Sequence, residues 1–98
     1  LPVATNPAQQ AQRAGRVTDV YPASLTLEYA LKQAALMARH SPLALQAAKQ
    51  ALRQSQEVPL QAGLAQERQL FALLAATDDR REGINAFLQK RTPDFKGR

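Results

Sequence analysis

The sequence has no cysteine, no tryptophan and one histidine, His40. Without cysteine there is no disulfide to staple a small fold, no thiolate zinc site and no thiol nucleophile. One histidine cannot build a histidine metal cluster, so no metal site is expected. No apolar run approaches the roughly 18 residues that a membrane-spanning helix needs. The first residues also lack the charged region and apolar stretch of an export signal. These absences predict a protein that works in water, in the cytoplasm or, for a eukaryotic source, the mitochondrial matrix. Acidic residues are outnumbered, 8 against 13 Lys and Arg, for a formal net charge of +5. A polyanion is therefore a suitable partner: nucleic acid, an acidic membrane surface or a phosphorylated cofactor. The cations are spread along the chain, and no aromatic interleaves with them as a single-strand stacking platform requires.

With 98 residues the chain is one small domain at most, and chains of this size bury only about 60 to 65% of the surface they expose when unfolded. Apolar residues make up 45% of it, but many are Ala, which favours helix and adds little buried area. That mixture predicts a mainly α protein with a thin core, whose helices need something larger to pack on.

Punctuation by Pro, Gly, Ser and Thr divides the chain. Asn6 and Pro7 open a short helix that ends at Gly15. Val17, Thr18, Val20 and Tyr21 then have strand propensity before Pro22 stops the run, so one short strand is expected at 17–21, with its partner strands outside this sequence. From Ser24 or Thr26 to about His40, Leu27, Leu31, Ala34 and Ala38 recur at helical spacing. Ser41 and Pro42 begin the next helix, to about Gln54, with a smooth side of Ala44, Ala47, Ala48, Ala51 and Leu52. Pro59 opens a third long helix with an inward stripe of Leu60, Leu64, Phe71 and Leu74, widened by Leu70 and Leu73. Glu67 falls inside that stripe and calls for an Arg partner if buried. Thr77, Asp78 and Asp79 start the last helix, to about Gln89, and Asp79 with Glu82 has capping-box-like spacing. Ile84, Phe87 and Leu88 are expected inward, and Gly83 to mark a close backbone approach. After Thr92 and Pro93 the tail is extended, anchored by Phe95.

No nucleotide-binding glycine loop, metal-ligand spacing or nucleophile with a base is present. His40 reads as a polar residue near a helix C-terminus, where its cationic form suits the dipole. Taken alone, these residues do not make an enzyme. Phe71, a flat ring on the third long helix, and the cations Lys90 and Arg91 after the last helix stand apart, since a ring and a cation are the two groups an adenine nucleotide requires.

The strings "GRVTDVYP", "EYALKQAALMARHSPLALQAAKQALR" and "GLAQERQLFALLAATDDRREGINAFLQKRTPDFKGR" together resemble the C-terminal third of the crotonase family, the enoyl-CoA hydratases and isomerases. The most specific part, "TDDRREGINAFLQKRTPDF", is similar to the family's T-x-D-x-x-E-G-x-x-A-F-x-x-K-R-x-P-x-F ending. The resemblance implies that residues 1–21 end a ββα-spiral core, which lies outside this sequence, and that residues 22–98 form a C-terminal helical region for oligomer contacts and CoA. It implies an adenine-contacting aromatic at Phe71 and a CoA-phosphate lysine at Lys90, both reaching a CoA held mainly by the neighbouring subunit of a trimer or hexamer. It places the catalytic glutamates and oxyanion donors in the spiral, so no catalytic residue is expected here. The parent is then an enoyl-CoA hydratase-like lyase of fatty acid metabolism, with CoA as part of its substrate, no tightly bound cofactor, and neither nucleic acid nor membrane as partner. Arg16, where the family has an apolar residue, and Gln89, where it has Glu, depart from the pattern. The other reading is a free-standing basic helical module that binds a protein or nucleic acid.

Overall fold

The structure, a computed structural model, describes residues 6–98. Five α-helices follow one another: α1 (Ala8–Arg13), α2 (Thr26–Met37), α3 (Pro42–Gln54), α4 (Leu60–Ala75) and α5 (Asp78–Leu88), with a 3-10 turn, Ala23–Leu25, before α2. The mainly α expectation holds. The chain divides into two compact units at Leu36/Met37.

In the first unit α1 ends at Gly15, whose φ of 77° suits a residue without Cβ. The Gly15 N–H donates to the Gln12 carbonyl and the Arg16 N–H to the Ala11 carbonyl, the paired bonds of a left-handed helix stop. Pro7 is the N-cap, in place of Asn6. No strand forms at 17–21, or elsewhere among the described residues. A ladder needs a second edge to exchange hydrogen bonds with, and none is present here. Side chains hold the segment instead. The Tyr21 ring stacks on Tyr29 of α2 with centroids 4.2 Å apart and planes 8° apart, and Lys32 lies 5.3 Å from the Tyr29 centroid.

In the second unit α3 packs against α4. Ser41 occupies the N-cap of α3 as expected, with Pro42 in the first turn, but its hydroxyl makes no cap bond. The half-buried positions of α4 are Gly63, Gln66, Leu70, Leu74 and Ala75, a face rotated from the stripe predicted by hydrophobicity. Leu60 and Phe71 are each 76% exposed. Ile84, Phe87 and Leu88 of α5 also face outward, Phe87 at 83%. Ala86 is the one fully buried apolar residue among those described. Hydrophobic periodicity identified faces that cover something, but their cover is not among these helices. Glu67 makes no ion pair among the described residues and lies at the surface.

With so little apolar burial, the isolated chain should self-associate or remain loosely packed. Sedimentation should show concentration-dependent mass, and an apolar dye should fluoresce in its presence. A sharp cooperative melt of a dilute monomer would contradict this.

Candidate functional site

The tail of the chain folds back over the last helix. Thr77 caps α5, its hydroxyl accepting from the Arg80 N–H at 3.2 Å. Asp79 is not engaged in capping. It is 3% exposed, and its carboxylate accepts from the Ser41 hydroxyl at 2.6 Å, the Lys96 N–H at 2.8 Å and the Gly97 N–H at 3.0 Å. Its own N–H donates to the Arg98 carbonyl at 2.8 Å. One side chain thus ties together the start of α3, the first turn of α5 and the end of the chain. Gly97 takes φ 76°, and a Cβ there would sit 3.7 Å from Pro42 Cγ. Gly83 meets the Phe95 ring, 3.5 Å from where its Cβ would be, rather than the backbone expected from sequence.

Glu82, one turn on, grips the other end of the tail. It accepts both Nη groups of Arg91 and, at 2.8 Å, the Asp94 N–H. The capping-box reading of Asp79 and Glu82 therefore gives way to a pair of tail clamps. Three-residue spacing puts both carboxylates on one helix face, which serves either role. Gln89, where the family pattern has Glu, accepts from Arg91 Nε at 2.7 Å.

Between these clamps lies Lys90. Its φ of 55° is the one positive value outside glycine among the described residues. The Lys90 N–H donates to the Phe87 carbonyl at 3.2 Å and the Arg91 N–H to the Ala86 carbonyl at 3.0 Å, the same helix stop that Gly15 makes for α1. A left-handed backbone costs an L-residue about 1 to 2 kcal/mol, and glycine avoids the cost. Lys90 forms no ion pair among the described residues, whereas Arg91 is fully engaged with Glu82. Two adjacent cations thus have opposite fates.

Phe71 borders a cavity of about 380 Å³ with Leu74, Ile84, Phe95, Arg80 and His40. Its other boundary is an apolar groove lined by Ala44, Ala47, Ala48, Leu70 and Glu67. Lys90 lines neither. It follows the far end of α5, roughly 10 Å along the axis from Gly83 at 1.5 Å per residue. The two residues singled out in the sequence are therefore not brought into one cavity by this chain. Among the described residues no cluster of acidic or His side chains could hold a metal, and no helix is long and apolar enough to cross a membrane.

The family model for enoyl-CoA hydratase/isomerase matches residues 3–98. The chain belongs to this family. It is 84% identical over 91 residues to the 2,3-dehydroadipyl-CoA hydratase of Escherichia coli K12, covering 93% of this chain and 36% of that protein. It is 38% identical over 90 residues to the (E)-benzylidenesuccinyl-CoA hydratase of Thauera aromatica, covering 92% and 35%. Among solved structures, the enoyl-CoA hydratase of Bacillus anthracis superposes with a TM-score of 0.88 at 40% identity, covering 93% of this chain and 35% of that one. The chain spans about a third of the length of the curated relatives it matches.

For this hydratase/isomerase-family segment, sequence reasoning missed the tail clamps. Their signal was visible as two acids on one face of α5 opposite a tail rich in backbone N–H donors. The Ser41 hydroxyl, more than the tail amides, holds the Asp79 carboxyl below its ordinary range. Arg91, assisted by the Asp94 N–H, lowers Glu82 from 4.5 to about 2. Both folded-state values lie below the unfolded ones, so the clamps contribute fully above the ordinary carboxylate range and are lost as pH falls through the lowered folded-state values, about 2 for Glu82. Hydrogen exchange checks this: corrected for intrinsic rates, protection of the Lys96 and Gly97 amides in the full-length protein should be high at pH 6 and be lost only in acid, below the ordinary carboxylate range. Asp79→Asn should remove most of that protection at pH 6, and unchanged protection would contradict the role of Asp79.

Proposed function

We propose that the chain is the C-terminal part of an enoyl-CoA hydratase, which adds water across the conjugated double bond of a 2-enoyl-CoA. The observation that carries this is the 84% identity over 91 residues to a 2,3-dehydroadipyl-CoA hydratase, which makes 2,3-dehydroadipyl-CoA the first substrate to test. On this reading residues 22–98 form the helical region that contacts CoA and neighbouring subunits of a trimer or hexamer. Residues 1–21 belong to the end of the spiral core. CoA enters as part of the substrate, with no tightly bound cofactor, and the enzyme works in the cytoplasm.

Within that reading Phe71 covers the adenine and Lys90 meets a phosphate of CoA. Two features support these assignments. Phe71 presents an exposed ring beside a largely apolar cavity. Lys90 occupies a backbone conformation that favours glycine, so its side chain is retained against a conformational cost. Arg91, already held by Glu82, is excluded as the phosphate cation. Catalytic acid-base groups are assigned outside this chain, and the isolated chain should therefore not turn over crotonyl-CoA.

The experiment uses the full-length protein, with crotonyl-CoA and the truncated thioester crotonyl-pantetheine as substrates. A charge-assisted phosphate contact at a partly exposed boundary contributes about 1 to 2 kcal/mol. Lys90→Ala should then raise KM for the CoA substrate roughly five- to thirtyfold. Its kcat should change little, because the phosphate is remote from the reacting carbons. The pantetheine substrate should be unaffected. Lys90→Gly should show the same kinetic loss while stabilising the fold by about 1 kcal/mol through relief of the left-handed strain. Equal damage to both substrates would assign Lys90 a structural role.

A further inference from the structure

The turn that carries Lys90 is held more firmly than a helix end requires. Two backbone bonds, from the N–H groups of Lys90 and Arg91, already close α5. Added to them is the Glu82 carboxylate, which receives two N–H groups of the Arg91 guanidinium and the backbone N–H of Asp94. The third edge of the same guanidinium, Nε, donates to Gln89. Residues 89, 91 and 94 are thus fixed relative to the helix turn that contains Glu82, and residue 90 lies inside that frame. Its side chain is the one cation of the turn with no ion-pair partner among the described residues.

A planar fork of donors opposite a carboxylate defines direction as well as distance. Lysine at residue 91 would supply a point charge without that constraint. The left-handed backbone of Lys90 also needs surrounding contacts to persist, since an L-residue relaxes from that region when it is free to do so. Pinning both neighbours of Lys90 achieves this.

We propose that Glu82 and Arg91 are a positioning pair that aims the Lys90 ammonium group at a phosphate of the CoA substrate, so that Glu82 governs affinity for the nucleotide end without touching it. The proposal rests on the reading of Lys90 above and adds to it the residues on which Lys90 depends.

The test is a double-mutant cycle in the full-length protein, comparing wild type, Glu82→Gln, Lys90→Ala and the double variant on crotonyl-CoA and crotonyl-pantetheine. Glu82→Gln retains an acceptor for the Asp94 N–H but loses the charged, two-pronged grip on Arg91. It should raise KM for crotonyl-CoA roughly three- to tenfold by misplacing the ammonium group, leave kcat unchanged, and leave crotonyl-pantetheine untouched. In the Lys90→Ala background it should add no further rise in KM, because there is no ammonium group left to position. Arg91→Lys provides a milder variant in case Glu82→Gln folds poorly, and should give the same split between substrates. A Glu82→Gln effect of full size in the Lys90→Ala background would overturn the proposal, as would equal loss on both substrates. So would a normal KM for both Glu82→Gln and Arg91→Lys while Lys90→Ala raises it. If Lys90→Ala leaves KM unchanged, the Lys90 assignment itself fails, and that result is distinct from the others.

Discussion

The buried carboxylate of Asp79 is the constraint on which the 37–98 unit depends. A charge at 3% exposure is costly unless hydrogen-bond donors surround it, and three do so here, the Ser41 hydroxyl and two tail amides. The consequence runs in both directions along the chain. Ser41 stands at the N-cap of α3 but gives its hydroxyl to Asp79, and the tail, which has no regular structure of its own, acquires a fixed path. In a unit whose only fully buried apolar residue is Ala86, polar clamps determine which segment lies where, because hydrophobic burial alone is too small and too undirected to do so.

The same logic explains why adjacent cations behave differently. Lys90 and Arg91 carry equal charge, yet the helix stop turns them apart: Arg91 returns along α5 to Glu82, while Lys90 occupies the left-handed position. Arginine suits the first role because its fork fits a carboxylate, and lysine suits the phosphate role proposed for the second because its ammonium group is compact and its stem flexible. Exchanging the two residue types would conserve net charge and lose the fork that fits Glu82.

How much of this was legible in the sequence depended on whether each signal was local. Helix limits at Ser41-Pro42, Pro59 and Thr77 were readable because Pro and capping residues act on their own backbone. The inward faces were not. The stripe through Leu60, Leu64 and Phe71 is a genuine apolar face, but periodicity does not say what covers it. Asp79 and Glu82 were read as a capping box because that role needs only residues nearby, whereas their actual partners lie nine to eighteen positions further along the chain and, for Ser41, 38 positions before Asp79. Gly83 was expected to meet a backbone and meets the Phe95 ring instead. Its substitution cost therefore depends on how far that ring can shift. The strand at 17–21 had correct local propensity but no second strand to pair with.

The candidate site rests finally on residues that are poor choices for folding. Natural sequences are locally consistent with their fold, and the exceptions concentrate where function imposes another demand. Lys90 is such an exception, because glycine would fit its backbone better and already does so at the equivalent stop of α1. Exposure of Phe71 is weaker grounds by itself, since Phe87 is more exposed and no ligand role is assigned to it. What separates them is concavity: Phe71 borders a cavity, and Phe87 borders neither that cavity nor the alanine-lined groove. A ring beside a concave, largely apolar space can cover a flat ligand, whereas a ring on an open helix face can only be covered by another chain segment. The two phenylalanines therefore call for different partners, although hydropathy treats them alike.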